Sequence, residues 1–354
     1  MVDSESIDRR NVLKGLGAAG VVSLAGCIGN GDGNGDGGGN GNGNGGDGNG
    51  GGNDSDDGNG GGDGNGGGGQ VIEWHAGGTG GTYFPLSNEF KTVVDGETEF
   101  SLQVQSTGAS VTNVGSLNEE AADFALIQND IAFFARNGES LDAFEGNPVE
   151  NLRGVATLYP ETIHVVTRAE SGIESLSDME GARVNTGDLG SGTQINALQI
   201  LESVAGLTPE DFDEQNSGFS DASDQLQNGD IDAAFVVGGW PVGAIENLAT
   251  NADIEILDLS EEARSAAKED ASWFADDTIP AGTYNGVDED VDTVSVQAMI
   301  ATRSGVEADT VETVTAAVFD NVDQLTIKTD FIGADSAQDG MSIELHEGAA
   351  AYFG

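Results

Sequence analysis

From Gly29 to Gly69 the chain runs for 41 residues on glycine, asparagine and aspartate with a single serine, and carries no apolar side chain. Such a segment cannot bury enough surface to offset the entropy of ordering a backbone, so a packed domain must lie after it. A glycine-rich coil of this length reaches about 35 Å, from roughly 5–6 Å times the square root of the residue number. Residues 28–69 therefore read as a disordered tether. Gly43, Gly45 and Gly48 match the spacing G-x-G-x-x-G, but no strand precedes them and no helix follows, so the match is a by-product of composition.

The tether follows a leader. Arg9-Arg10 precedes Val12-Leu13-Lys14, a mildly apolar stretch extends from Leu16 to Ala25, and Leu24-Ala25-Gly26 stands directly before Cys27, the only cysteine. Basic, apolar and small-residue regions in this order form an export signal, and about ten apolar residues are too few to span a bilayer. The paired arginines indicate the twin-arginine route. Leu-Ala-Gly-Cys has the form of a lipobox, in which the cysteine is lipidated and becomes the new N-terminus. Residues 1–27 thus read as a lipoprotein signal, with the protein expected on the outer face of the cell membrane and held to membrane lipid through Cys27.

Charge defines the setting further. The chain has 62 acidic and 12 basic side chains. Ten of those acids and three of those bases precede Gln70, which leaves 52 against 9 and a net charge of about −43 on the remainder. Nucleic acid and anionic headgroups are excluded as surface partners. The Debye length shrinks to about 3 Å at 1 M salt, so a halophilic setting would remove the self-repulsion of such a surface. A monomer is expected.

After residue 70 the apolar residues become periodic, alternating between a period of two and one near 3.6. Val71-Ile72-Glu73-Trp74 reads as a strand, Leu86, Phe90, Val93 and Val94 share a helix face, and Phe100, Leu102 and Val104 alternate as a second strand. Val111, Val114 and Leu117 mark a further helix before the strand Phe124-Ala125-Leu126-Ile127. Strands near Val155, Val165, Val184, Phe235 and Ile256 continue the pattern, with helices at about 192–205, 221–228 and 241–250. Alternation of strand and helix predicts an α/β fold with mostly parallel sheets, and a length beyond what one core usually holds predicts two lobes.

Two segments have the same physical form. The strand at 71–76 runs into Gly77-Gly78-Thr79-Gly80-Gly81-Thr82 and a helix with Pro85 in its first turn. The strand at 183–186 runs into Gly187-Asp188-Leu189-Gly190-Ser191-Gly192-Thr193 and a helix ending at Gly206. Glycines admit close approach of a ligand to the backbone, and the free N–H groups and dipole of a helix start favour an anion. Thr79, Thr82, Ser191 and Thr193 add hydroxyl donors. Either loop alone is equally an ordinary capped turn; one in each lobe favours an anion-binding cleft. Gln105-Ser106-Thr107-Gly108-Ala109-Ser110, with Asn113 on the same helical face as Ser110, and Gln128-Asn129-Asp130 also follow strand ends, where open α/β sheets bind ligands.

Seven motifs, GGTGGTYFP at 77–85, QSTGASVTN at 105–113, LYPE at 158–161, GSGTQIN at 190–196, Gly239-Trp240-Pro241, IPAGTY at 279–284 and His346-Glu347-Gly348-Ala349, occur in order across residues 71–354. Together they resemble the TAXI family of TRAP-transporter solute-binding proteins. The resemblance implies a two-lobed type II periplasmic-binding-protein fold with a hinged cleft between two mostly parallel sheets. It also implies delivery of a small organic anion, of the glutamate, glutamine or 2-oxoglutarate kind, to a sodium-coupled TRAP permease. By the same resemblance the ligand would be held by Gly78, Thr79, Thr82, Tyr83, Ser106, Thr107, Ser110, Asn113 and Gln128 of one lobe, and by Ser191, Gly192, Thr193, Asn196 and Trp240 of the other. The lobes would be 70–159 with 286–354, and 160–285, with crossings near Tyr159-Pro160 and Tyr284-Asn285. Two departures stand out: Ala109 replaces a usual second glycine, and Arg136 stands where tyrosine or asparagine types are commoner.

Catalytic readings fit less well, and no cofactor is expected. No Gly-Lys pair is available for a phosphate loop, and Ser191 lacks the G-x-S-x-G frame because residue 189 is leucine. His75, His164 and His346 are scattered singly and read as structural, with His346 packing or capping near the C-terminus. The alternatives are a receptor serving a sensor or an ATP-driven importer, and a secreted hydrolase acting through Ser191.

Overall fold

The sequence from Leu152 to Arg168 buries nearly every side chain, and it forms one strand of 17 residues that organises the rest. Periodicity suggests two strands here, near Val155 and Val165; burial on both faces removes the alternation that would have marked a single one. The computed structural model describes residues 70–354 except Ser140 and Asp142, so the leader, Cys27 and the tether lie outside the described residues. Among the described residues no helix is long and apolar enough to cross a membrane.

Two half-sheets meet at the long strand. The first contains β1 (Gln70–His75), β2 (Phe100–Gln105) and β3 (Phe124–Gln128), with β1 parallel to both others. The long strand is β4 (Leu152–Arg168), and β5 (Arg183–Asn185), β6 (Asp213–Gln215) and β7 (Ala233–Val237) build the second half. There β5 is parallel to β6 and β7, while β4 is antiparallel to β7 and to the short β8 (Ile254–Ile256). The fold is therefore mixed α/β: parallel at the outer strands, antiparallel where the crossing strands enter.

A hairpin of β9 (Ala275–Ile279) and β10 (Val291–Arg303) supplies the second crossing. From Val291 to Ser295 strand β10 pairs β9, and from Ala298 to Thr302 it pairs β3. The exchange lies inside β10, not near Tyr284-Asn285, whose tyrosine hydroxyl is fixed to Val242 N and His164 in the second half. Along β4 the partner changes from β10 to β7 between Thr162 and Ile163; Pro160 faces Gln297 and Met299 then faces Thr157, so β4 carries one extra residue there. Proline, with no N–H to donate, is tolerated at such a bulge.

Helices cover both faces of each half. In the first, α1 (Tyr83–Glu97), α8 (Ala308–Asp320) and α9 (Glu347–Phe353) share one core cluster, and α2 (Ser110–Asn118) and α3 (Asn129–Asn137) the other. In the second, α4 (Gly192–Ile200) and α7 (Glu261–Asp270) lie on one face, α5 (Phe219–Asn228) and α6 (Gly243–Asn251) on the opposite one. Trp74 anchors the first core: its ring stacks on Phe124 at 5.6 Å, meets Phe90 edge-on at 5.8 Å, and its Nε1 donates to Ser87 Oγ at 2.9 Å. Burying an indole of this size stabilises the fold by about 4–6 kcal/mol. The histidines are structural where their partners are defined. His346 Nδ1 accepts from Gly348 N and caps α9, while His164 sits between backbone carbonyls and Tyr284, held neutral by burial with its pKa lowered to about 4.

Candidate binding cleft

The C-terminal ends of β1, β3, β5 and β7 deliver their loops to one groove, the edge where open sheets bind ligands. Residues 77–78, 80–83, 108–110, Gln128 and Glu161 line it from one side, and Asp188, 191–193, 218–219 and Val237 from the other. The cavity measures about 60 Å³.

The start of α4 has the chemistry of an anion site. Ser191 caps the helix, its Oγ accepting from Gln194 N at 3.1 Å, and the N–H groups of Gly192 and Thr193 have no intrahelical acceptor. Glycine at 192 leaves room for the Gln128 amide: a Cβ there would lie 1.6 Å from Gln128 Oε1. Opposite stands the start of α2, where Ser110 Oγ accepts from Gln128 N at 3.1 Å. Its cap is Ala109, with φ 64° and ψ −144°. That conformation is natural for glycine and strained for alanine.

The first glycine loop behaves differently. Thr82 precedes α1 in helical geometry and makes no side-chain cap; its hydroxyl donates to Gly239 O of the other half at 3.3 Å. Gly80 O accepts from Ala244 N at 3.2 Å, and a Cβ on Gly80 would lie 2.4 Å from Ser220 Oγ. This loop is a seam between the halves. Asn196 belongs to another part of that seam, donating from Nδ2 to Asp130 Oδ2 at 2.7 Å with both residues fully buried.

Gly78, Thr82, Tyr83, Ser110, Gln128, Ser191, Gly192 and Thr193 meet in the cleft, and the remaining candidates lie outside its lining. Thr79 is exposed. Ser106 donates to Gly77 O at 3.0 Å. Thr107 Oγ1 lies 2.7 Å from Asn113 Oδ1 and accepts from Ala109 N, and Asn113 Nδ2 donates to Ala76 O and Leu126 O at 2.6 and 2.8 Å. These two side chains hold loops together. Trp240 is half-buried, with Lys328 Nζ 5.7 Å from its ring and bonded to its carbonyl.

The groove also contains charges absent from the candidate set. Glu161, at 3 % exposure, stands just after Pro160 in β4. Burial lifts its pKa to about 7, Tyr159, Gln128 and Tyr83 draw it partly back, and Asp130 pushes it up. Gln128 Nε2 is 3.5 Å from Glu161 Oε2. The hydroxyls of Tyr83 and Tyr159 adjoin the carboxylate without meeting any partner in hydrogen-bonding geometry, and Gln128 Oε1 has none either. The two phenols can donate to the carboxylate by a small rotation, which leaves Gln128 Oε1 as the buried acceptor open to a ligand or solvent. Asp130 is likewise raised to about 6 by burial, against the bonds from Asn196 and Ile131 N. Sequence gives one signal for Glu161: it is the lone acid between Val155 and Val166, a run with no lysine or arginine.

The NMT1-like family matches residues 75–354. The chain belongs to that family. Among solved structures it is similar to a TctC solute binding protein from Polaromonas, at 16 % identity over 80 % of this chain and 96 % of that one, with a TM-score of 0.43. It is similar to an ancestral arginine-binding protein bound to arginine, at 13 % identity over 73 % and 95 % with a TM-score of 0.45. The periplasmic aliphatic sulphonate binding protein of Escherichia coli resembles it at 14 % identity over 80 % and 82 %, with a TM-score of 0.42.

Proposed function

We propose that this chain is an extracytoplasmic solute-binding protein that captures a small carboxylate and delivers it to a TRAP-type permease, without catalysis. The observation that carries the reading is a cleft between two half-sheets in which a capped helix start faces unpartnered buried polar groups. The family membership and the motifs shared with TAXI proteins support it. Ser191, the candidate nucleophile of a hydrolase, serves as a helix cap, which favours binding over turnover. Export by the twin-arginine route, lipidation at Cys27 and a halophilic setting are parts of the same proposal, resting on the leader and the acidic composition. Native mass spectrometry of protein purified in 3 M potassium chloride identifies what it carries, on the order of magnitude of salt that screens surface charge. Calorimetry with glutamate, glutamine and 2-oxoglutarate, paired with small-angle scattering, then measures affinity and closure. Failure of any small carboxylate to bind, or tight binding without compaction, refutes this reading.

A further inference from the structure

We propose that the protein carries a second ligand site, in a groove beside the hinge and apart from the cleft, and that this site takes a small organic cation, an ammonium group on an aromatic or branched apolar body. This site goes beyond the solute-binding reading and does not depend on it.

The groove has a volume of about 440 Å³ and lies where β10 leaves β9 for β3, with Ser295, Val296 and Gln297 in its lining. Phe133 of α3 lines it from the first half, and Trp273, just after α7, lines it from the second. It shares no residue with the lining of the cleft: at the end of β3, Gln128 belongs to the cleft and its neighbour Asn129 to the groove. Small-molecule pockets measure roughly 300–1,000 Å³, so the groove has room for a compact organic ligand.

Its walls combine aromatic carbon with negative charge. Phe133 and Trp273 each meet Phe134 edge-on, at 6.2 and 4.7 Å, so both rings are held by a shared third. Phe133 is still 37 % exposed, which leaves part of its ring open to a ligand. Trp273 is half-buried with its Nε1 covered and without an acceptor, so the indole offers no donor that an anion could use. Two carboxylates, Asp130 and Asp339, are in the lining, and no lysine, arginine or histidine is. Asp130 is covered, bonded by Asn196 Nδ2 and Ile131 N, and acts through its field, whereas Asp339 is exposed and can touch a ligand. Arg264 and Lys268 of the neighbouring α7 are engaged by Asp276 and Asp292, and Arg136, one turn along α3 from Phe133, is outside the lining. Ring faces attract an ammonium group through their quadrupole, and a carboxylate or the Gln297 amide oxygen accepts its hydrogen bonds. An organic anion would meet two carboxylates with no cation to offset them, and a neutral aromatic would leave the carboxylates unused.

Calorimetry on the full chain in constant high salt at neutral pH tests this with phenethylamine, 2-phenylethanol and phenylacetate, which share an aromatic body and differ in charge. Phenethylamine should bind wild type with a dissociation constant below about 1 mM, at least about tenfold tighter than the alcohol, with phenylacetate weaker than both. Two substitutions at exposed positions then locate the site. Phe133→Ser should weaken the amine about tenfold by removing a ring wall, and Asp339→Asn about threefold by removing the accessible charge. A dissociation constant above about 1 mM for the amine, equal or tighter binding of the alcohol or the acid, or an amine affinity untouched by both substitutions overturns the second site. Each of those results leaves the solute-binding reading of the cleft intact.

Discussion

The loops after β1 and β5 look alike in sequence and both line the cleft, yet the first is also a seam between the halves. Both are glycine-rich, both carry serine or threonine, and both lead into a helix. In the second, Ser191 caps α4 and leaves the next N–H groups facing the cleft. In the first, Thr82 turns its hydroxyl to the other half of the molecule, and Gly80 lets two backbones meet. Glycine permits close approach without fixing what approaches: the Gln128 side chain at Gly192, the Ser220 segment of the other half at Gly80. Each kind of surface has a buried carboxylate near it, Asp130 bonded across the seam to Asn196 and Glu161 lacking a cation in the site.

The largest effect expected from contrasting seam and site is on the stability of the ligand-free protein. Glu161 has a raised pKa, so its stabilising contribution is full below about pH 4.5 and is lost as pH rises through about 7. Glu161→Gln should therefore gain about 3 kcal/mol over wild type at pH 8 and nothing near pH 4, by denaturant titration in constant high salt. Asp130→Asn should gain no more than about 1 kcal/mol, because the bonds from Asn196 and Ile131 lose their charge assistance. Equal gains would erase the distinction.

Next in size are the two glycines. Gly192→Ala drives a methyl group into Gln128 and should weaken ligand binding about 100-fold, in line with roughly 1–3 kcal/mol for overpacking. Gly80→Ala meets the tip of the Ser220 side chain, which can rotate, so about a tenfold loss is expected, with reduced compaction in small-angle scattering. Hydroxyl deletions sharpen the contrast further. Thr193→Ala should weaken binding by about 1–2 kcal/mol with little change in stability, whereas Thr107→Ala should cost about 1–2 kcal/mol in unfolding free energy by stripping a partner from Asn113. The smallest effect concerns Ala109. Replacing it with glycine relieves the positive φ and should raise stability by about 1 kcal/mol in thermal melts.

Much of the fold was legible because it is written in local periodicity. β1, α1, β2 and α2 lie where alternation and 3.6-residue spacing put them, since each has one face buried and the other in or near solvent, while β3, buried throughout, is legible as a short apolar run. The same logic misses β4, whose two buried faces leave no alternation to read, and the position of the second crossing, which depends on β10 pairing with different strands at its two ends. Among candidate site residues, Thr107 and Asn113 carry polar groups suited to a ligand. Only their neighbours reveal that those groups are already occupied by Ala76, Leu126 and each other.

By itself the sequence determined an acidic α/β domain behind a glycine-rich segment, with glycine loops at the ends of strands, because composition and period are properties of nearby residues. Only the tertiary structure decided which of the two cleft loops would also clasp the halves together, and that Glu161 would stand in the cleft with Tyr83, Tyr159 and Gln128 around it. The physical reason is that burial and hydrogen-bond occupancy are set by residues distant in the chain. The same side chain is a cap, a clasp or a ligand group according to what the fold brings against it.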